Sequence, residues 1–265
     1  MITNQLKTIL AYRGFIWGSL KRDFQMRYRK SVLGSLWAIL NPLATILIYT
    51  VIFSQLMKAR LPGVNDTMAY SIYLCSGVLT WSFFAEIIQR SQNVFLENAN
   101  LIKKLNFPRI CLPIIVVGNA AVSFAISFGL FLCFLVILGK FPGWVILGLP
   151  VALVIQVVFA IGLGIIMGIL NVFFRDVGQS VGIILQFWFW FTPIIYPISI
   201  LPKSIQSLIK LNPMVPVVSA YQSILVYGKL PDWLTLVPIA ILAALACLVS
   251  VKLYKQRSGE MVDEL

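Results

Sequence analysis

The sequence predicts an all-α integral membrane protein: six transmembrane helices, an N-terminal amphipathic interface helix, and two short outer gate helices before the last span. Three observations carry this. Of 265 residues, 60% are hydrophobic and 11% charged, against about 45–50% and 25% in soluble domains, so polar surface is too scarce to cover a globule in water. Uncharged stretches long enough to cross a hydrocarbon core of roughly 30 Å recur, near 31–57, 69–89, 110–139, 144–174, 177–197 and 233–251. Lys and Arg are divided unequally between the loops: fifteen fall in the N-terminal arm, the second and fourth loops and the tail, and six in the remaining segments. Basic residues are retained on the cytoplasmic side, which predicts cytoplasmic termini and a multi-pass protein of the cytoplasmic (inner) membrane. The same asymmetry and anionic head groups account for the net charge of +12, leaving no role for nucleic acid.

The elements follow in order within a single domain, 1–265. Residues 1–30 are not a cleavable signal, because charges run through the segment. Leu6, Ile9, Leu10, Ile16, Trp17, Leu20 and Phe24 alternate with Lys7, Arg13, Lys21 and Arg22, the pattern of a helix lying in the interface. It either anchors the first span or also meets a cytoplasmic partner. Residues 31–197 carry spans one to five, 198–231 the gate helices, 232–252 span six and 253–265 a cytoplasmic tail. The 198–231 segment is apolar yet cut by Pro202, Pro213, Pro216 and Pro231, so its pieces are too short to cross. Residues 203–211 and 214–227 read as short helices around the Asn212-Pro213 break, either a gate or a surface loop. Backbone of this kind survives at membrane depth only where protein or a water-filled cavity satisfies its polar groups.

Absences narrow the function. There is no histidine, and Cys75, Cys111, Cys133 and Cys247 form no CxxC pair, so no Cys/His metal site is expected. No GxxxxGK[ST] loop is present, so any nucleotide is hydrolysed elsewhere. Glu86 is the sole acid within a span, and an i,i+4 pair with Arg90 accounts for it. A secondary carrier wants acids near the midplane, and a membrane glycosyltransferase wants paired carboxylates. Both are disfavoured. Gly164-x-x-x-Gly168 and Gly178-x-x-x-Gly182 are candidate close helix contacts; Asn65-Asp66-Thr67 fits a glycosylation sequon.

Two constellations remain. Phe187-Trp188-Phe189-Trp190-Phe191, with Tyr196, places rings on every side of span five, and Trp37, Asn41 and Tyr49 lie on span one. Flat rings stack on sugar C–H faces and permit sliding without charge recognition; an interfacial aromatic belt is the alternative. The second constellation is inward-facing. Asn100, Lys103, Lys104, Asn106, Phe107 and Arg109 supply an apolar anchor with a charged rim, and Arg175 and Asp176 turn the chain between spans four and five, either docking a partner or ending two helices.

At these residues the chain resembles the membrane subunit of ABC-2 type polysaccharide exporters, the O-antigen, capsule and teichoic-acid permeases. The matching stretches are Ser31 to Trp37 running to Asn41-Pro42-Leu43, Leu101 to Arg109 with Leu112-Pro113, Phe174-Arg175-Asp176, and Leu211-Asn212-Pro213-Met214. They span nearly the full chain in family order. The resemblance implies a transport subunit that is not itself an enzyme: a homodimer working with two copies of an ATP-binding cassette subunit that holds ATP and Mg, and binding no cofactor of its own. It implies a lipid-linked glycan as cargo, with a small-lipid or drug exporter as alternative. It gives ATPase contacts to Lys7, Arg13, Trp17, Asn100 to Arg109 and Arg175-Asp176. The path falls to Trp37, Asn41, Tyr49 and Phe187 to Tyr196, the outer gate to Pro202, Leu208, Asn212, Pro213 and Tyr221. The family often carries an arginine where this chain has Gln222.

Overall fold

A computed structural model describes residues 10–29, 31–56, 61–62, 66, 68–104 and 111–265, with no side-chain description for Tyr28, Ser54–Leu56 or Lys104. The described residues are mostly helical, with no strand among them: α1 (Arg13–Tyr28), α2 (Trp37–Thr50), α3 (Ala69–Glu97), α4 (Ala99–Lys104), α5 (Cys111–Ile137), α6 (Leu149–Phe173), α7 (Asp176–Trp190), α8 (Lys203–Ile209), α9 (Met214–Leu225), α10 (Trp233–Arg257) and α11 (Glu260–Glu264). Among the described residues five stretches are long and apolar enough to cross a membrane. The two short helices expected before the last span are present as α8 and α9. Lys7, Lys104's side chain, Asn106, Phe107, Arg109, Asn65 and Thr67 lie outside what the structure describes.

The least apolar of the long spans, α3, is the one most buried, while the more apolar α2, α5 and α10 turn most of their surface outward. In a membrane this inversion is expected, because polar groups gain nothing from lipid and need protein partners. Ser76, Thr80 and Gln92 are accordingly buried on α3 with hydrogen-bond partners, while Ser71 and Ser91 are buried there without one among the described residues. Its neighbours are α6, α5, α9, α7 and α2, and α10 packs on the far side of α6. Together these helices enclose Phe84, Ile87, Phe131, Leu135, Val217 and Val218.

Contacts between α3 and α6 climb in step along both helices, so the two run parallel. Gln156 Nε2 donates to Thr80 O at 2.7 Å. A Cβ added at Gly164 would meet Ser91 Cβ at 2.5 Å, and one at Gly168 would meet Ser91 O at 2.6 Å, so this motif is a close contact as expected. The second motif is different. Gly178 lies 3.0 Å from Asn171 Oδ1 in the same test, and Gly182 faces open space.

Three boundaries differ from expectation, one of them at the sixth span, whose helix runs on to Arg257 instead of stopping near 251. The α3 helix continues to Glu97 instead of stopping near residue 89, because Arg90 is neutralised within one turn by Glu86 (2.9 Å). The fifth span ends at Trp190, not at 197. The Pro193 ring would clash with the carbonyl of Phe189 four residues back, and the chain proceeds through turns. At 15 residues, α7 is roughly 22 Å long.

The two loops expected outside meet: Lys140 Nζ lies 2.8 Å from Asp66 Oδ2. Donation from Lys140 and from the Met68 N–H holds the Asp66 carboxyl below its ordinary value. At the other, basic end, Met261 of α11 shares one apolar cluster with Ile102 of α4 and Phe95 of α3's last turn.

Candidate translocation path and docking face

The five consecutive residues from Phe187 split by helical period into two functions. Trp188 turns inward and meets Trp81, Phe84 and Phe159 edge-on at ring distances of 5.9, 5.4 and 6.4 Å. Phe187, Trp190 and Phe191, spaced i, i+3, i+4 on one face, point out and are each more than half exposed. Rings thus lie on both sides of the helix, as expected from sequence, but they do not share one surface: Trp188 and Phe189 are partly buried against the core cluster, and the open face holds three rings. Trp188, Trp190, Phe191 and Tyr196 border a cavity of about 450 Å³ that Leu208 and Asn212 also line.

Below this face the unwound segment 191–197 is satisfied by side chains. Tyr73 donates to the carbonyls of Pro193 (3.0 Å) and Tyr196 (3.2 Å), Tyr70 to Ile195, Gln222 Nε2 to Pro193 at 3.3 Å, and Tyr196 to Trp190 at 2.7 Å. Asn212 is the hub. Its Nδ2 donates to Thr192 Oγ1 (2.9 Å) and Phe191 O (3.2 Å). Its Oδ1 accepts from Trp188 Nε1 (2.7 Å) and from the Met214 N–H (3.0 Å) that opens α9. One amide therefore ties the end of α7, the following turn and the first turn of α9 together.

The gate residues do not all share one surface. Pro202 and Leu208 are exposed and Asn212 and Pro213 half-buried, whereas Tyr221 is 1% exposed, against Phe128 in the core. Tyr221 is thus corrected from a gate surface to a packing position. Gln222 occupies a buried site beside Gly77 and Pro193. A neutral amide suits it, because a buried arginine would need a carboxylate.

On the first span, Trp37 and Asn41 are exposed and Tyr49 half-buried. Tyr49 begins a run of rings through Phe53 and Tyr70 to Tyr73, which connects α2 to the carbonyls of the α7 turn. Its one non-local link, Phe53 to Tyr70, joins two different helices and is not given by helical spacing. The helices themselves flank α3 on different neighbours, α2 against α5 and α7 against α6, and both leave a wide apolar face uncovered.

The basic end presents the docking candidates. Arg13 and Trp17 on α1, Asn100 and Lys103 on α4, and Arg175 and Asp176 at the start of α7 are all exposed. Helix α1 is held to α5 by Ile16 against Cys111 and Ile115 and by Leu20 over Gly118. Asn171 fixes the α6–α7 turn: its Nδ2 donates to Gln92 O at 3.0 Å and its Oδ1 accepts from the Gly178 N–H at 2.9 Å. Phe174 stands out of that turn, 65% exposed, beside Arg175 and Asp176. Sequence reading names this ring in the turn but assigns the docking role to the two charges.

Among the described residues no group of His, Cys, Asp or Glu is placed to hold a metal ion. The arrangement offers rings, backbone carbonyls and a charged rim in place of nucleophiles.

Comparison with known proteins gives a consistent result. Residues 15–226 match the family described as ABC-2 type transporter. The chain is 30% identical over 262 residues to "O-antigen export system permease protein RfbA" of Myxococcus xanthus, covering 98% of each. It is 32% identical over 211 residues to the protein of the same description in Klebsiella pneumoniae, covering 79% of each. It is also 23% identical over 245 residues to "Polysialic acid transport protein KpsM" of Escherichia coli, covering 91% of this chain and 92% of that one.

Proposed function

The chain belongs to the ABC-2 type transporter family, and from that premise we propose that it is the membrane-spanning permease subunit of a polysaccharide exporter, carrying an O-antigen-like, lipid-linked glycan outward across the cytoplasmic membrane. The family and the relatives' descriptions support the transport class. The observation that carries the path is the exposed Phe187–Trp190–Phe191 face next to an unwound turn.

In this reading two copies of the chain meet through the uncovered faces of α2 and α7, and the glycan passes between them. Rings give many weak contacts of similar strength, so sugars advance without a deep trap. Two ATP-binding cassette subunits dock at the basic end, on α1, α4 and the Phe174–Asp176 turn, with ATP and Mg bound on those subunits. Both termini are then cytoplasmic. ATP-driven closure pushes the basic end; α3 and α6, locked through Gly164 and Gly168, transmit the motion, and the turn tied by Asn212 yields.

Affinity purification of the tagged chain from its native host in mild detergent, with mass spectrometry, tests this reading. A stoichiometric ATP-binding subunit is expected. Its reproducible absence alongside intact chain would remove the energy source and return a secondary carrier to first place.

A further inference from the structure

At the basic end one apolar cluster joins elements that lie far apart in the sequence. Phe95 in the last turn of α3, Ile102 in α4, Val172 near the end of α6 and Met261 in α11 are all buried in it. Phe173 is half-buried against the same cluster and is followed directly by the exposed Phe174–Asp176 turn. The cluster therefore reaches both inward-facing docking candidates, α4 and that turn.

The two candidates are held differently. Asn171 bonds the turn on both sides, and the Phe174 N–H donates to Leu170 O at 2.8 Å. Helix α4 depends on its surroundings. It has six residues, too few to be stable alone, and the N–H groups of Leu101 and Ile102 both donate to one carbonyl, Asn98 O, at 3.0 Å. Of its main neighbours, α3 is separated from it by Asn98 alone, while α11 comes from a distant part of the sequence.

Helix α11 follows α10 after the Ser258–Gly259 break and stays against α6. Arg257 and Glu260 pair across the break, and Tyr254 of α10 stacks on Phe95 with ring centroids 5.8 Å apart. Its residues sort by side: Glu260, Asp263 and Glu264 are exposed, Val262 half-buried, and Met261 only 3% exposed. An unbranched thioether side chain is suited to filling an irregular gap between helices. With Ile102 buried in the same cluster, Asn100 and Lys103 of α4 are left exposed.

We propose that Met261 is a positioning residue for docking: through the cluster it shares with Ile102 it fixes α4 in one orientation beside the Phe174–Asp176 turn, so that the two meet the partner as one surface. This rests on the exporter reading for the identity of the partner, an ATP-binding cassette subunit, and on the cluster itself for the hold on α4. A misoriented α4 lowers the fraction of chains competent to dock, and apparent affinity falls by that fraction.

The experiment measures amide hydrogen exchange of the full chain in detergent with no partner present, and then its affinity for the ATP-binding subunit that copurifies with it. Met261→Glu and Met261→Ala should each raise exchange of the Leu101 and Ile102 amides about tenfold or more, because a buried side chain leaves the cluster. Exchange at Gly178, which Asn171 holds, should stay parental, and so should the melting temperature, because α4 and α11 open locally. Met261→Leu, which nearly conserves volume, should restore parental exchange. Affinity for the subunit should fall about tenfold in the Glu and Ala variants and return with Leu. The exchange measurement needs no partner, so a missing subunit would count against the exporter reading while Met261's hold on α4 is decided separately. Added exchange confined to residues 260–265, a loosened α4 with undiminished affinity, Met261→Leu behaving like Met261→Ala, or a lowered melting temperature in both the Glu and Ala variants would each overturn the proposal.

Discussion

Helices α3 and α7 are both apolar, both touch the core, and are used in opposite ways. All 29 residues of α3 are continuous helix with Ser71, Ser76, Thr80, Ser91 and Gln92 buried, and it meets α6 so closely that two glycines have no room for a methyl group. After 15 residues α7 stops, and the chain beyond it is satisfied one carbonyl at a time by side chains from α3, α9 and the Asn212 turn. Backbone-to-backbone packing has few alternative arrangements, whereas side-chain hydrogen bonds exchange partners at modest cost. The contrast teaches a division of labour: a rigid spine through α3 and α6, and an adjustable exit beside an open aromatic face.

That comparison breaks most sharply at the spine. Gly164→Leu and Gly168→Leu should each cost about 3 kcal/mol by overpacking against Ser91, seen as a lowered melting temperature in detergent. Gly182→Leu, facing open space, should melt like the parent. Next comes Trp188→Ala, expected to lose about 2–3 kcal/mol because the ring contacts Trp81, Phe84 and Phe159 and its N–H satisfies Asn212. Asn212→Ala should cost about 2 kcal/mol, with amide hydrogen exchange rising across 191–197 and the start of α9 while α3 stays protected.

The smallest effect belongs to the Asp66–Lys140 pair joining the two loops at the opposite end. Both side chains keep some water contact, 27% and 48% exposed, so Asp66→Asn should cost at most about 1 kcal/mol. Because the folded carboxyl titrates below its ordinary value of 3.8, its contribution is present above that pH and lost as pH falls through the lower folded value. Melting curves of parent and variant should therefore differ by a constant amount at neutral pH and converge in acid.

Much of this division was legible in the sequence. Long uncharged runs marked the spans, and prolines around Asn212 marked the two short helices, because helix length and proline chemistry are local. The Gly164 motif was legible as a pattern, but its twin at Gly178 shows that spacing alone does not say which glycines meet another helix. The direction of Trp188 was available from the 3.6-residue period and was obscured by reading the rings as a cluster. What local pattern did not hold were the long-range partners: Arg27 reaching Glu86 across 59 residues, Asn171 holding the α6–α7 turn, and Tyr70 and Tyr73 capping carbonyls about 120 residues away.

The central claim, that the outward rings of α7 form a glycan path and not a structural face, is tested most directly by Phe187→Ala combined with Trp190→Ala in a host lacking the parental copy. Melting temperature of the purified variant and glycan reaching the cell surface are measured together. Parental melting with surface glycan reduced about tenfold or more is the predicted result, two ring contacts of roughly 1 kcal/mol each being lost. Parental melting with undiminished surface glycan would contradict the account.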